Sequence, residues 1–167
     1  MERIVIIGCG GAGKTTLSLK LGELTGLPVV HLDQIFWSPG NWNHLEREEF
    51  DEILIREMEK DQWILDGNYN RTMPMRLDLC DTVIYLDYSR FTCIWGWLRR
   101  VIKYHGKARQ DMAPGCGEWL DPEFFTWLWS FNKKFRKTYY EMLAGLEGKQ
   151  VYIFKNRAQT RRFLKNL

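Results

Sequence analysis

The chain of 167 residues has no Cys-x-x-Cys pair among its four cysteines, and Cys9, Cys80, Cys93 and Cys116 do not group with His31, His44 or His105 at metal-ligand spacing. That pattern excludes a zinc ribbon or finger and reads the cysteines as reduced thiols of a cytoplasmic protein. Long apolar runs are missing too. The longest, Phe91 to Leu98, is far short of the ~18 residues of a membrane span, so no membrane association is expected. Met1-Glu2-Arg3 runs straight into Ile4-Val5-Ile6-Ile7, leaving no room for an export signal. Charge of one sign is scarce: 24 Lys+Arg against 21 Asp+Glu give +3, too little to imply a nucleic-acid coat. There is no internal repeat, low-complexity segment or helix-turn-helix signature.

Present instead is enough apolar material, 45% of the residues, for one ordinary globular domain. At roughly 150 residues a domain hides about 70% of its unfolded surface, so disulfides and structural metals are dispensable. Short β-branched or aromatic runs alternate with helical patterns, the signature of an α/β domain whose parallel sheet is covered on both faces. The runs predict strands at 3–7, 29–32, 63–65, 82–86 and 150–154. Helical spacing predicts helices over 14–25, 46–60, 90–103, from 121 or 122 to 146, and 159–167. Residues 34–43 and 104–119, rich in Gly and Pro, fit neither pattern and read as surface loops or lids.

Between the first strand and the first helix stands Gly8-Cys9-Gly10-Gly11-Ala12-Gly13-Lys14-Thr15, a match to GxxxxGK[ST] in its proper setting. Glycines let such a loop turn successive N–H groups inward, making an anion nest at a helix N-terminus. Lys14 is then placed to reach β- and γ-phosphates, the Thr15 hydroxyl to ligate a bridging Mg²⁺, and Thr16 to meet the α-phosphate. A turn that merely joined strand to helix would need neither Lys14 nor Thr15.

Three of the predicted strands are followed by Asp: Asp33, Asp66 and Asp87. Ligands of open α/β sheets bind beyond the carboxyl ends of strands, which makes Asp33 and Asp66 candidates for chemistry. Asp66 either orients an acceptor hydroxyl or a Mg²⁺-bound water, or caps a turn. Asp33 either serves catalysis or caps a helix. Arg71 either clamps an anionic acceptor or is a solvated residue. Phe36, Trp37 and Trp42 are core plugs or walls of an acceptor pocket. His31 reads as packed or locally bonded. In the Gly/Pro-rich stretch and its approach, Arg100 and Arg109 stand out as cations able to swing onto a γ-phosphate. Lys133, Lys134, Arg136 and Lys137 form a basic helix face, solvated in the simpler reading and a phosphate-backbone contact in the other.

Several segments together resemble a known group. They are the phosphate loop Gly8 to Thr15, His31-Leu32-Asp33 with Trp37, Trp63 to Tyr69, Asp81 to Asp87, and Arg109 to Glu118. Over nearly the whole chain they are similar to the adenylate-kinase-like branch of P-loop proteins, most of all to DNA topology modulation proteins of the FlaR type. The resemblance implies an α/β P-loop NTPase fold, a three-layer sandwich with a five-stranded parallel sheet in the order 2-3-1-4-5, and a lid. One domain would span 1–167, with an acceptor-binding segment about 33–60 and a lid about 103–119. It also implies ATP, Mg²⁺ and a small phosphoryl acceptor as partners. Adenylate kinases carry an Asp-Gly-Phe-Pro-Arg motif that Asp66-Gly67-Asn68-Tyr69-Asn70-Arg71 matches in part. They also carry an RxxxR pair whose first member would fall on Gly96 if Arg100 were the second, leaving adenine stacking to Trp95, Trp97 or Arg99. Asn156-Arg157 resembles the loop that lines the adenine.

These readings converge on a phosphotransferase. Lys14, Asp33, Asp66, Arg100 and Arg109 are its expected catalytic residues. Gly8, Gly10, Gly11, Ala12, Gly13, Lys14, Thr15, Thr16 and Arg157 would hold the nucleotide. Asp33, Trp37, Asp66 and Arg71 would hold an acceptor such as a nucleoside monophosphate, and Thr15 the metal. The rival is a nucleotide-dependent DNA-binding or regulatory ATPase that would use the basic helix face.

Overall fold

The structure, a computed structural model, describes residues 1–37, 43–107, 109 and 111–167; Trp42 lies outside them. Five strands, β1 (Arg3–Gly8), β2 (Val29–His31), β3 (Trp63–Asp66), β4 (Thr82–Leu86) and β5 (Gln150–Phe154), pair in parallel in the order β2-β3-β1-β4-β5. Each strand falls where its β-branched run predicts, and the sheet order is the one the family resemblance implies. Successive side chains of a strand point to opposite faces, and Ile4, Val5, Ile6 and Ile7 are all fully buried. Both faces of β1 are therefore covered, which is why the sequence there reads as an uninterrupted apolar run rather than an alternating one.

Helices α1 (Lys14–Thr25), α2 (Leu32–Phe36), α3 (Arg47–Met58), α4 (Met73–Leu79), α5 (Arg90–Tyr104), α6 (Pro122–Ala144) and α7 (Arg157–Lys165) connect and cover the strands. Asp121 caps α6 by accepting from the amides of Glu123 and Phe124, with Pro122 in the first turn. Asn156 caps α7 through Ala158 and Gln159, so this helix starts two residues before the predicted position.

Other elements also differ from the sequence expectation. The chain leaves β2 at His31, one residue early, because Leu32 turns into the core and starts α2; a Cβ on Gly67 would come within 2.9 Å of the Leu32 Cβ. The stretch after β3, expected as a polar turn, winds into a 3-10 turn (Asn70–Thr72) and then α4. That helix buries Met73, Arg76 and Leu77, but it is too short for its periodicity to show.

The stretch 105–119 is not a bare surface loop. Met112, Ala113 and Cys116 form a small apolar cluster against Trp37, and Asp111 and Glu118 are buried. The parallel register sets β3 so that Asp66 lies beside Ile6 of β1 and His31 of β2, at the carboxyl edge of the sheet and next to the glycine-rich loop.

Candidate active site

The loop 9–13 wraps as the motif requires. Gly11 and Gly13 sit at φ +72° and +99°, and Gly13 opens α1 from the left-handed region, where a side chain would be strained. Its curvature also depends on α5. A Cβ on Gly96 would lie 2.1 Å from the Gly11 carbonyl oxygen, and one on Gly11 would lie 2.2 Å from the Cys93 carbonyl oxygen. Gly96 takes the place where the family resemblance expects an arginine because the loop and helix backbones meet there. Lys14 folds back along the loop and donates to the carbonyls of Gly8 (3.0 Å) and Cys9 (3.3 Å). Gly8 lies behind the loop, held by Asn68, which accepts from its amide at 3.0 Å and donates to its carbonyl at 2.9 Å.

Asp66 is buried with Oδ2 at 3.1 Å from His31 Nδ1, and it accepts from the Ser18 hydroxyl at 3.4 Å. Both contacts fall on the same oxygen. Among the described residues no hydrogen bond falls on Oδ1, and Asp66 lines the cleft. Asp33, in the first turn of α2, accepts from the Tyr69 hydroxyl at 2.6 Å. Burial pushes its carboxyl above the ordinary range, against the pull of Tyr69 and Lys14, with Asp66 adding to the rise. Phe36 meets Tyr69 at 5.0 Å and Trp37 at 5.0 Å between ring centroids, so an aromatic wall flanks the two carboxylates.

Tyr69 is held at φ +33°, the one non-glycine residue with positive φ among the described residues. Arg76 is fully buried beside it and donates to the carbonyls of Gly67, Asn68 and Tyr69. Burial lowers its pKa to about 10, still cationic at neutral pH. Sequence reasoning missed Arg76, Asn68 and Tyr69 as site-shaping residues; a lone arginine inside Met-Pro-Met-Arg-Leu was the available signal. Arg71 corrects an expectation. It pairs with Asp51 of α3 through two contacts of 2.6 Å and does not line the cleft. Asp87 likewise turns away from the cleft, accepting from Arg136 at 2.8 Å and from Lys155 at 2.5 Å.

Arg100 and Arg109 do line the cleft. Their Nε atoms lie 3.0 and 2.8 Å from one oxygen of buried Glu118, and Arg109 donates to Asp111 at 2.7 Å. Asp111 in turn accepts from the Thr15 hydroxyl at 2.7 Å, tying the 105–119 segment to the phosphate loop. Asp111 and Glu118 were not singled out from the sequence, although both stand in the Arg109 to Glu118 stretch that carried the resemblance. Burial and Arg109 lower the pKa of Arg100 from its ordinary value.

The cleft holds about 1570 Å³. A single small-molecule site takes about 300–1,000 Å³, so there is space for a donor and an acceptor together. Gly10, Gly11, Ala12, Gly13, Lys14, Thr15, Thr16, Asp33, Trp37, Asp66, Arg100, Arg109 and Arg157 all line it. Beyond the loop it runs between α5 and α7, past Trp97, Arg99, Arg157 and Arg161. Trp95 does not line it and points outward, 59% exposed.

The donors near Thr15 are hard oxygens, and no group of three or more His, Cys, Asp or Glu that could hold a metal occurs among the described residues. That set fits Mg²⁺, which takes one or two protein oxygens and keeps phosphate and water ligands for the rest. It does not fit zinc.

Comparison with solved structures places this arrangement in the fold of small P-loop kinases. Shikimate kinase from Acinetobacter baumannii, in complex with shikimate, superposes with a TM-score of 0.62 at 18% identity over 99% of this chain and 90% of that one. Deoxyadenosine kinase from M. mycoides with bound dATP superposes with a TM-score of 0.57 at 17% identity over 98% and 97% of the two chains. Its form with bound dCTP gives a TM-score of 0.52 at 17% identity over 98% and 96%. No protein-family model matches the chain, and no curated protein matches it. The fold is thus that of the adenylate-kinase-like P-loop proteins, while the topology-modulation resemblance rests on the sequence segments alone. No helix among the described residues is long and apolar enough to cross a membrane.

Proposed function

We propose that this protein is a cytoplasmic Mg-ATP-dependent phosphotransferase that moves a γ-phosphoryl group onto a small acceptor. The observation that carries the reading is the meeting, in one cleft, of a phosphate loop with Lys14 and Thr15 and of the carboxylates Asp33 and Asp66. The loop amides and Lys14 are placed to hold the donor phosphates, and the Thr15 hydroxyl would hold a Mg²⁺ ion, which would supply charge neutralisation there. Arg100 and Arg109 neutralise charge that develops on the transferring group. Asp33 or Asp66 orients the attacking oxygen. Arg157 lines the nucleoside end of the donor.

Residues 103–119 act as a lid in this reading, Asp111 accepting from Thr15 of the phosphate loop and from Arg109. Closure excludes water, which protects the γ-phosphoryl group from hydrolysis. A DNA-binding role has less to stand on: on the basic face of α6, Arg136 is paired with Asp87 and Lys137 lies 3.7 Å from Glu141.

The test is ADP formation from Mg-ATP across a panel of hydroxyl-bearing acceptors, with Lys14→Ala as control. One acceptor raising turnover by orders of magnitude, with loss in the variant, supports a kinase. A slow rate indifferent to every acceptor contradicts it.

A further inference from the structure

We infer that the acceptor is an uncharged, hydroxyl-bearing molecule with a planar ring, a nucleoside rather than a nucleoside monophosphate. The inference rests on the phosphotransferase reading and specifies its second substrate. Three observations carry it.

The first is where the cations go. Between residues 33 and 79 the chain has Arg47, Arg56, Lys60, Arg71 and Arg76, and none of them lines the cleft. Arg71, the residue best placed in sequence to clamp a phosphate, is spent on Asp51. Arg76 is enclosed and spends its terminal donors on three backbone carbonyls. The undescribed residues 38–42, Ser-Pro-Gly-Asn-Trp, add no cation.

The second is what faces the cleft instead. Asp33 and Asp66 line the acceptor end, and burial, with Asp66 adding to it, raises the cost of ionising Asp33. A phosphomonoester, carrying ≈ −1.5 to −2 charge at neutral pH, would meet two carboxylates there. Of the cations across the cleft, Arg100 and Arg109 are already paired with Asp111 and Glu118, two cations against two anions, which leaves Lys103 on that side. A neutral hydroxyl instead donates to the Asp33 oxygen that Tyr69 leaves free, and a desolvated carboxylate is a stronger base toward it.

The third is the wall. Phe36, Trp37 and Tyr69 line this end as one packed aromatic wall, a lining suited to a planar base or ring.

The experiment measures kcat/KM for phosphoryl transfer to matched pairs: each of the four common ribonucleosides and deoxyribonucleosides against its 5′-monophosphate. Mg-ATP binding is measured in parallel by calorimetry on wild type and Lys14→Ala. We expect at least one nucleoside to exceed its own monophosphate by ten-fold or more. Asp33→Asn should weaken binding of that nucleoside at least ten-fold and leave Mg-ATP affinity within two-fold, which separates loss of the acceptor contact from loss of the fold. Faster transfer to the monophosphates overturns the acceptor class and leaves the phosphotransferase reading standing. Transfer to neither member of any pair, with Lys14-dependent Mg-ATP binding intact, overturns it in the same way. Failure to bind Mg-ATP overturns both.

Discussion

Asp111 accepts a 2.7 Å hydrogen bond from the hydroxyl of Thr15, across 96 residues of sequence, so the 105–119 segment is fastened to the phosphate loop at the hydroxyl a metal ion would use. The hydroxyl donates in this contact and keeps its oxygen lone pairs. Asp111 also accepts from Arg109, which makes it the joint between the loop and that arginine.

Removing that joint should loosen the segment. Asp111→Ala is expected to raise the rate of tryptic cleavage after Lys107 or Arg109 several-fold in the ligand-free protein. An ATP analogue with Mg²⁺ should slow cleavage of the wild type. Equal cleavage of variant and wild type, with and without nucleotide, would count against a lid fastened through Asp111.

Asp33 gives a pH-dependent signature. Its folded pKa is raised by burial, so the protonated form favours folding; that contribution is full at pH below the unfolded value near 4 and is lost as pH rises through the folded value. Asp33→Asn removes the ionisable group. The difference in melting temperature, variant minus wild type, should therefore be smallest near pH 4 and grow in the variant's favour toward pH 7, while activity falls about a hundred-fold. A difference that stays flat with pH would show that Asp33 is not destabilised by ionisation.

Arg76 should be needed for the fold as well as for the site. Arg76→Leu strips three backbone carbonyls of Gly67, Asn68 and Tyr69 of their donor. Losing satisfied hydrogen bonds at a buried position costs about 3 kcal/mol or more in unfolding free energy. Denaturant unfolding checks this; a loss under about 1 kcal/mol would mean that water or a neighbour replaces the guanidinium.

The contact between α5 and the phosphate loop predicts a remote effect on nucleotide binding. Gly96→Ala puts a methyl group 2.1 Å from the Gly11 carbonyl, so the loop must shift, and Mg-ATP affinity should fall at least ten-fold. Gly145→Ala, whose added methyl meets nothing nearer than 3.6 Å, should leave affinity unchanged. Calorimetric titration of both variants decides the matter.

Much of this was legible in the sequence because it is written locally. The strands are continuous apolar runs, and the phosphate loop follows one and precedes a helix, so fold, loop and the acids at strand ends could be read directly. Arg71 and Arg76 show the limit. Both follow Asp66 in a polar-looking stretch, but only the packing of α4 beneath the loop, and of Asp51 beside it, decides that one arginine is enclosed and the other turned away. Asp111 was hidden for a similar reason: an acid in a Gly/Pro-rich segment gains its meaning from Thr15, far off in the chain.

The central claim is phosphoryl transfer by this cleft, and its most direct test is the rate of ADP formation from Mg-ATP with a nucleoside acceptor, comparing wild type with Lys14→Ala. Acceptor-dependent ADP formation that falls by a hundred-fold or more in the variant is the expected result. ADP formation that ignores the acceptor, or that survives loss of Lys14, would contradict the account.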